Sequence, residues 1–234
     1  MSSDDRCKET VYLILTCCVA GITGVLSTWL VWNHQNVDNK LEDILFLILP
    51  NLSRIEYPIP NYIAIAQYIL GFISFDFDKS FKYLGQFLFL QCIITILRSI
   101  TISLTILPTI HLHPYCNGKM DDFFTVFWTV LRYGTCGDYM YSGHTASSML
   151  VYLFVHRHGV RYIYEILSGL LLGAIMLTLL IMRWHYSVDI LVAVVIIWMG
   201  FKLYKVYETS EYGSAWFYFN SFATGGRIKR GDLI

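Results

Sequence analysis

The sequence predicts an all-α membrane protein of six transmembrane helices, with cytosolic termini and an active site at the luminal or exoplasmic face. Three observations predict it. Hydrophobic residues fill 56% of 234 positions and mean hydropathy is +0.52, outside the usual composition of a soluble domain. Several apolar runs approach the about 20 residues that cross a hydrocarbon core. With six crossings and a cytosolic N-terminus, eleven of the 17 lysines and arginines, among them Arg157, Arg161, Lys202 and Lys205, fall inside, the bias that cytosolic loops carry. Formal net charge is zero, so bulk electrostatics predict no nucleic-acid partner.

The first predicted crossing is 11–32, with Trp29 and Trp32 suited to an interfacial belt. Asp4, Asp5 and Glu9 dilute the basic character before it, and no small-residue cleavage site follows, so it reads as a retained signal anchor. Residues 41–49 are apolar but too short to span, and Pro50 ends them; an interfacial or partly re-entrant helix fits. The second crossing, 59–75, lies between Pro58-Ile59-Pro60 and Asp76-Phe77-Asp78-Lys79. The third, 81–107, stops at Pro108. Residues 109–140 form a long loop in which Phe123 to Trp128 suit a short amphipathic helix. Crossings four and five, 142–156 and 162–182, flank the basic turn from His156 to Arg161 and make a hairpin; the sixth is 187–207. A polar tail follows, and the whole reads as one domain without internal repeats.

A hairpin returns its far ends to one face of the bilayer, so His144 and His185 are expected to meet there. Asp189 stands four residues after His185, on the same helical face, where a carboxylate can orient an imidazole. Ser142-Gly143-His144 opens a helix whose backbone N–H groups favour an anion. Arg98, Thr101 and Thr105 share one face of the third helix. An intramembrane arginine calls for a partner, either a substrate phosphate or an acid such as Glu42 or Asp43. Asp138, just before Ser142, either orients His144, receives a cationic headgroup or is an ordinary loop carboxylate. Tyr133, Tyr139, Tyr141 and Trp184 suit a cation–π cage or an interfacial belt. Two histidines and an aspartate suggest phosphorus chemistry, with His185 as nucleophile and His144 as acid and then base. The rival reading is a set of interfacial histidines paired for folding alone. His111-x-His113 has no third ligand at suitable spacing, so neither a metal nor a cofactor is expected.

Three strings carry a resemblance. Cys136-Gly137-Asp138 leading to Ser142-Gly143-His144-Thr145, His185-Tyr186-x-x-Asp189, and Arg98-x-x-Thr101-x-x-x-Thr105-x-Leu107-Pro108 resemble, in the same order, segments of the sphingomyelin synthase family, a branch of the lipid phosphate phosphatase superfamily. That family's P-L-P-D segment is poorly matched by Leu41-Glu42-Asp43. The resemblance implies transfer of a phospho-headgroup from a glycerophospholipid to ceramide through a phosphohistidine, releasing diacylglycerol. Phosphocholine is the preferred headgroup, with ethanolamine and inositol left open. It implies catalytic roles for His144, His185 and Asp189, substrate-binding roles for Asp138, Ser142, Arg98 and Tyr141, and residence in the Golgi, endoplasmic reticulum or plasma membrane.

Two other classes stand beside it. Lipid phosphate phosphatases have an arginine six residues before the second histidine, where this chain has Leu179, and a K-x-x-x-x-x-x-R-P string that is absent here. Fewer cations suit a singly charged diester over a monoester. The other alternative is a non-enzymatic lipid transporter or scaffold, with Arg98 and its threonines lining a path. Of the six cysteines, Cys7, Cys17, Cys18 and Cys92 read as small hydrophobic residues or free thiols. Cys116 and Cys136 lie in one luminal loop and are expected to form a disulfide. Oligomeric state is left open.

Overall fold

Apolar periodicity and caps divide the described residues into helices. A computed structural model describes residues 3–33, 41–53, 57–75, 77–104, 124–125 and 141–209. The elements are α1 (Ser3–Asn33), α2 (Ile44–Ile48), α3 (Ile59–Ser74), α4 (Phe77–Leu104), α5 (Gly143–His158), α6 (Tyr162–Ile181) and α7 (Ser187–Thr209). Among the described residues there is no strand. The Cys116–Cys136 pair, Asp138, Thr105, His111-x-His113, Tyr133, Tyr139 and most of Phe123 to Trp128 lie outside the described residues.

Among the described residues, three segments are long and apolar enough to cross a membrane: Tyr83–Leu104, Tyr162–Ile181 and Ser187–Val206. Leu13–Trp29 and Ile59–Ser74 are shorter apolar helices. At 16 residues, α5 is more polar, and its position explains why. Helices α3, α4, α6 and α7 all pack on it, so its solvent is protein. Thr145 and Ser148 are buried on it beside Ala146, Leu150 and Phe154. A helix shielded by four neighbours does not need an apolar surface; it needs partners for its polar groups.

Small residues and hydrogen bonds set the close contacts, as expected where lipid removes the usual hydrophobic drive between helices. A side chain on Gly71 would sit 2.8 Å from Val151 Cγ1, so its absence lets α3 approach α5. Gln67, fully buried on α3, donates through Nε2 to Ser148 O at 3.0 Å and to Ser168 O at 3.3 Å, joining α3, α5 and α6. On α1, Ala20, Gly24 and Thr28 recur every fourth residue and form a small-residue stripe; α1 packs chiefly on α4, where Gly24 lies against Thr95 and Ser99. There Cys17 and Cys92 bring their sulfur atoms to 3.2 Å, both as free thiols.

The turn from α5 to α6 is tight because Gly159 donates to Val155 O at 2.8 Å, and a Cβ there would lie 2.5 Å from that oxygen. Val160 N donates to Ser74 O, tying the turn to the end of α3. At the other end α6 closes in a Schellman motif: Arg183 N donates to Leu180 O and Trp184 N to Leu179 O. Arg183 takes the left-handed position, φ 58°, that glycine usually fills. Its guanidinium holds the strained turn in place by donating through Nη2 to Phe46 O at 2.7 Å and Leu49 O at 3.0 Å, with its charge 4.1 Å above the Phe46 ring. The apolar stretch expected over 41–49 therefore forms a five-residue helix, pinned by Arg183 over the α6–α7 junction.

Candidate active site

Helix α5 starts at Ser142, whose side chain accepts from Thr145 N at 3.2 Å in an N-cap. Helix α7 starts after Tyr186, and Asp189 Oδ2 accepts from Tyr186 N at 3.0 Å, the return half of a capping box. The two starts are joined directly, because Ser142 N donates to Asp189 O at 3.2 Å. The hairpin thus delivers both histidine motifs to one place.

His185 Nδ1 lies 3.5 Å from Asp189 Oδ2, with Asp189 almost wholly buried. One carboxylate therefore serves a helix cap and an imidazole together. His144 sits in the first turn of α5, its Nε2 2.7 Å from Asn61 Oδ1 on α3 and its ring edge-on to Trp184. An amide oxygen only accepts, so Nε2 carries a hydrogen and Nδ1 is the nitrogen available for proton exchange. His185 and Arg98 are both near enough to act electrostatically on His144.

Arg98 comes from α4, donates through Nε to Tyr141 O at 3.3 Å and lays its guanidinium on Gly143, where a Cβ would meet Cζ at 2.8 Å. Gly143 is thus needed for space. An arginine over the first residue of a helix adds a full charge to the partial positive charge of its free N–H groups. Thr101, on the same expected face, turns its hydroxyl to Arg98 O at 2.8 Å, a backbone bond within α4. Tyr141, expected at the substrate, is buried, and its hydroxyl donates to Ile94 O at 2.8 Å; its phenol joins α4 to the start of α5.

Asp43 was one candidate partner for Arg98, and it is engaged at the other helix start. Its Oδ1 accepts from Leu45 N at 2.9 Å as the cap of α2, and its Oδ2 accepts from Ser187 N at 2.6 Å. Leu41 N donates to the Tyr186 hydroxyl at 3.1 Å, and Phe46 stacks on the Tyr186 ring. Burial, with smaller contributions from Asp189 and Asp43, raises the Tyr186 phenol above its ordinary value, against the Leu41 hydrogen bond. Burial pulls Arg183 below its ordinary value and Asp43 opposes that. Asn61 is the site residue that sequence reasoning passed over, and Asp43, expected as a partner for Arg98, instead caps two helix starts. For Asp43 the signal was the weakly matching 41–43 segment; for Asn61 it was a lone amide opening an apolar run.

The described architecture is a helical membrane protein in which two histidines, an aspartate and an arginine meet at two adjoining helix starts. Residues 135–206 match the family model described as PAP2 superfamily C-terminal, which takes in both histidine motifs. More particularly, the chain is similar to phosphatidylcholine:ceramide cholinephosphotransferase 2 of Rattus norvegicus, 29% identical over 123 residues, 46% of this chain and 34% of the relative. It is also similar to phosphatidylcholine:ceramide cholinephosphotransferase 1 of Gallus gallus, 30% identical over 123 residues, 46% of this chain and 30% of the relative. With the form 1 enzyme of Homo sapiens the identity is 31% over 111 residues, 41% of this chain and 27% of the relative. The resemblance to sphingomyelin synthases drawn from the three strings thus extends over about 45% of the chain. The chain spans about a third of the length of these relatives.

Proposed function

We propose that this protein is a lipid phosphotransferase that moves a phospho-headgroup between two membrane lipids. The observation that carries the reading is the pairing of His185 with Asp189 beside His144, with Arg98 over the adjoining helix start. The names of the similar proteins support phosphatidylcholine as donor and ceramide as acceptor. In this reading all six long helices cross the bilayer, the termini are cytosolic, and the site faces the lumen or exterior.

With Nδ1 turned toward Asp189, Nε2 of His185 attacks the donor phosphorus. A P–N bond forms, the P–O bond to diacylglycerol breaks, and protonated His144 gives its proton to the departing alkoxide. Asp189 balances the positive charge on the phosphorylated imidazole. His144, now neutral, takes the proton of the ceramide primary hydroxyl, whose oxygen attacks phosphorus. The P–N bond breaks, and both histidines regain their starting states. Arg98 and the N–H groups of α5 balance the phosphoryl charge throughout.

The test follows diacylglycerol and both headgroup products from purified protein in detergent, with and without ceramide. A covalent intermediate produces a burst of diacylglycerol and a slow water product without ceramide, and ceramide diverts headgroup to the sphingolipid. If diacylglycerol never forms without ceramide, direct in-line transfer replaces the phosphohistidine.

The superfamily match favours one second reading, hydrolysis of a lipid phosphate monoester. Against it, Leu179 stands where phosphatases carry a cation and is fully buried in the apolar core around Ile175 and Ile190. Release of inorganic phosphate from phosphatidic acid would establish that reading.

A further inference from the structure

Below the site the backbones of α3 and α4 stand apart, although both pack on α5, and Tyr68 meets Phe87 edge-on across the gap at 6.0 Å. The result is a cleft between α3 and α4 with one face of α5 as its floor. On that face lie His144, Ser147, Val151 and Phe154, spaced three, four and three residues apart. The cleft has three levels. At the top are Asn61, Arg98 and His144. One turn down, Gln91 of α4 donates through Nε2 to the Ser147 hydroxyl at 2.9 Å, and Tyr68 of α3 is hydrogen-bonded to the same serine. Beneath is an apolar cavity of about 380 Å³ lined by Tyr68, Phe72, Leu84, Phe87, Val151 and Phe154 among others. Its foot is closed by Phe75 against Tyr83 at 5.4 Å and by Tyr83 stacked on His158 at 4.0 Å.

The middle level holds an open acceptor. Gln91 Oε1 is buried and has no hydrogen-bond partner among the described residues. A buried carbonyl oxygen left without a donor is costly, so the middle level is built for a ligand that brings an N–H or O–H. Ser147 lies about 4.5 Å along α5 from His144 at 1.5 Å per residue, close to the separation of a primary hydroxyl from the amide of an N-acyl amino alcohol. Val151 and Phe154 are about 10 and 15 Å below His144 on the same rise, the depth of an acyl tail within one leaflet of a hydrocarbon core of about 30 Å. The ester linkages of a glycerolipid bring acceptors to this level, whereas an amide brings the missing donor.

We infer that the α3–α4 cleft binds an N-acyl amino alcohol lipid lengthwise, with its hydroxyl at His144, its amide N–H on Gln91 Oε1 and its acyl chain in the apolar cavity. The inference rests on the proposed transfer reading and makes Gln91 a specificity-determining residue of the acceptor. Phosphate chemistry stays at the top level, and selection of the acceptor's backbone and chain falls to the two below.

The experiment compares wild-type protein with Gln91→Leu and Leu84→Trp, using ceramide, N-methyl ceramide and hexanoyl or palmitoyl ceramides with one fixed donor. Wild type should prefer ceramide over N-methyl ceramide by about tenfold, the scale of one unmet buried hydrogen bond. Gln91→Leu should bring that ratio close to one. Leu84→Trp, which fills the cavity, should lower the palmitoyl-to-hexanoyl ratio about tenfold, the scale of overpacking. A parallel arm maps photo-crosslinks from a ceramide with a diazirine at its chain end, which should fall on α3 and α5 around Phe72 and Val151 without any turnover. If wild type transfers headgroup but the N-methyl ratio survives Gln91→Leu, or the crosslinks fall elsewhere, the cleft assignment is overturned. A chain-length preference that follows the donor and ignores the acceptor overturns it as well. If wild type transfers nothing to any ceramide while the crosslinks still map to the cleft, the transfer reading fails and the binding site stands.

Discussion

The starts of α5 and α7 touch, carry the two histidines, and are capped in opposite ways. Helix α5 is capped by the neutral Ser142 and has the Arg98 guanidinium on its first residue. Helix α7 is capped by two carboxylates, Asp189 on Tyr186 N and Asp43 on Ser187 N. A helix start with its partial positive charge reinforced by an arginine attracts an anion; one covered by two carboxylates has that charge cancelled. The difference teaches a division of labour within a few ångströms. In the mechanism proposed above, the α5 start suits the phosphoryl oxygens and the α7 start suits an imidazole that becomes positively charged.

The largest effect should come from the α7 side. His185→Ala should lower transfer by about a thousandfold or more while the protein still inserts and binds donor lipid, read as headgroup transfer alongside lipid co-purification. Near-normal turnover in a correctly inserted His185→Ala protein would remove the covalent role and leave α7 purely structural. On the α5 side, Arg98→Met should cost about a hundredfold, with most of the loss in affinity for a phosphate-bearing lipid and little in binding of diacylglycerol. Equal losses for both lipids would show that Arg98 only holds the helix start.

Asp43 sharpens the contrast further. Asp43→Ala removes one acceptor shared by two helices and should lower both stability, by about 1–2 kcal/mol in a denaturation series, and transfer, by about tenfold. Asp43→Asn keeps one acceptor oxygen, for either Leu45 N or Ser187 N, and carries no charge. If charge cancellation at the α7 start matters, Asp43→Asn should recover part of the stability and leave transfer as low as in Asp43→Ala; transfer that recovers in step with stability would make Asp43 a cap and nothing more. The smallest effect belongs to Ser142→Ala, about 1 kcal/mol of stability from the lost cap, with transfer reduced only a few-fold. A Ser142→Asp substitution keeps a cap while adding a carboxylate below Arg98, and should weaken donor binding more than Ser142→Ala does.

Much of the arrangement was legible because its causes are short-range. The hairpin of α5 and α6 follows from two apolar runs around a basic turn, and it alone brings the His144 and His185 motifs to one end. The Ser142 cap, the turn glycines and the four-residue step from His185 to Asp189 act within a single helical turn. Even so, hydropathy underrated α5. Its polar residues keep it out of the segments apolar enough to cross a membrane, although α3, α4, α6 and α7 all pack on it. The weak 41–43 match likewise hid the role of Asp43, offered by the sequence as a partner for Arg98, since a family string has no means of registering a carboxylate that caps a helix far along the chain.

The sequence by itself therefore determined the helices and the meeting of the histidine motifs, because periodicity, caps and turns depend on neighbours within about four residues, though α1 begins at Ser3 and α4 at Phe77, ahead of the starts expected at 11 and 81. Only the tertiary structure decided who serves those histidines. Asn61 reaches His144 across 83 positions, and Asp43 reaches Ser187 across 144; Arg98 covers Gly143 from a separate helix. Such contacts depend on the rotation and depth of each helix against α5. Those are set by packing at Gly71, by the Gln67 hydrogen bonds and by Arg183 in its left-handed turn, and no local pattern of residues encodes them.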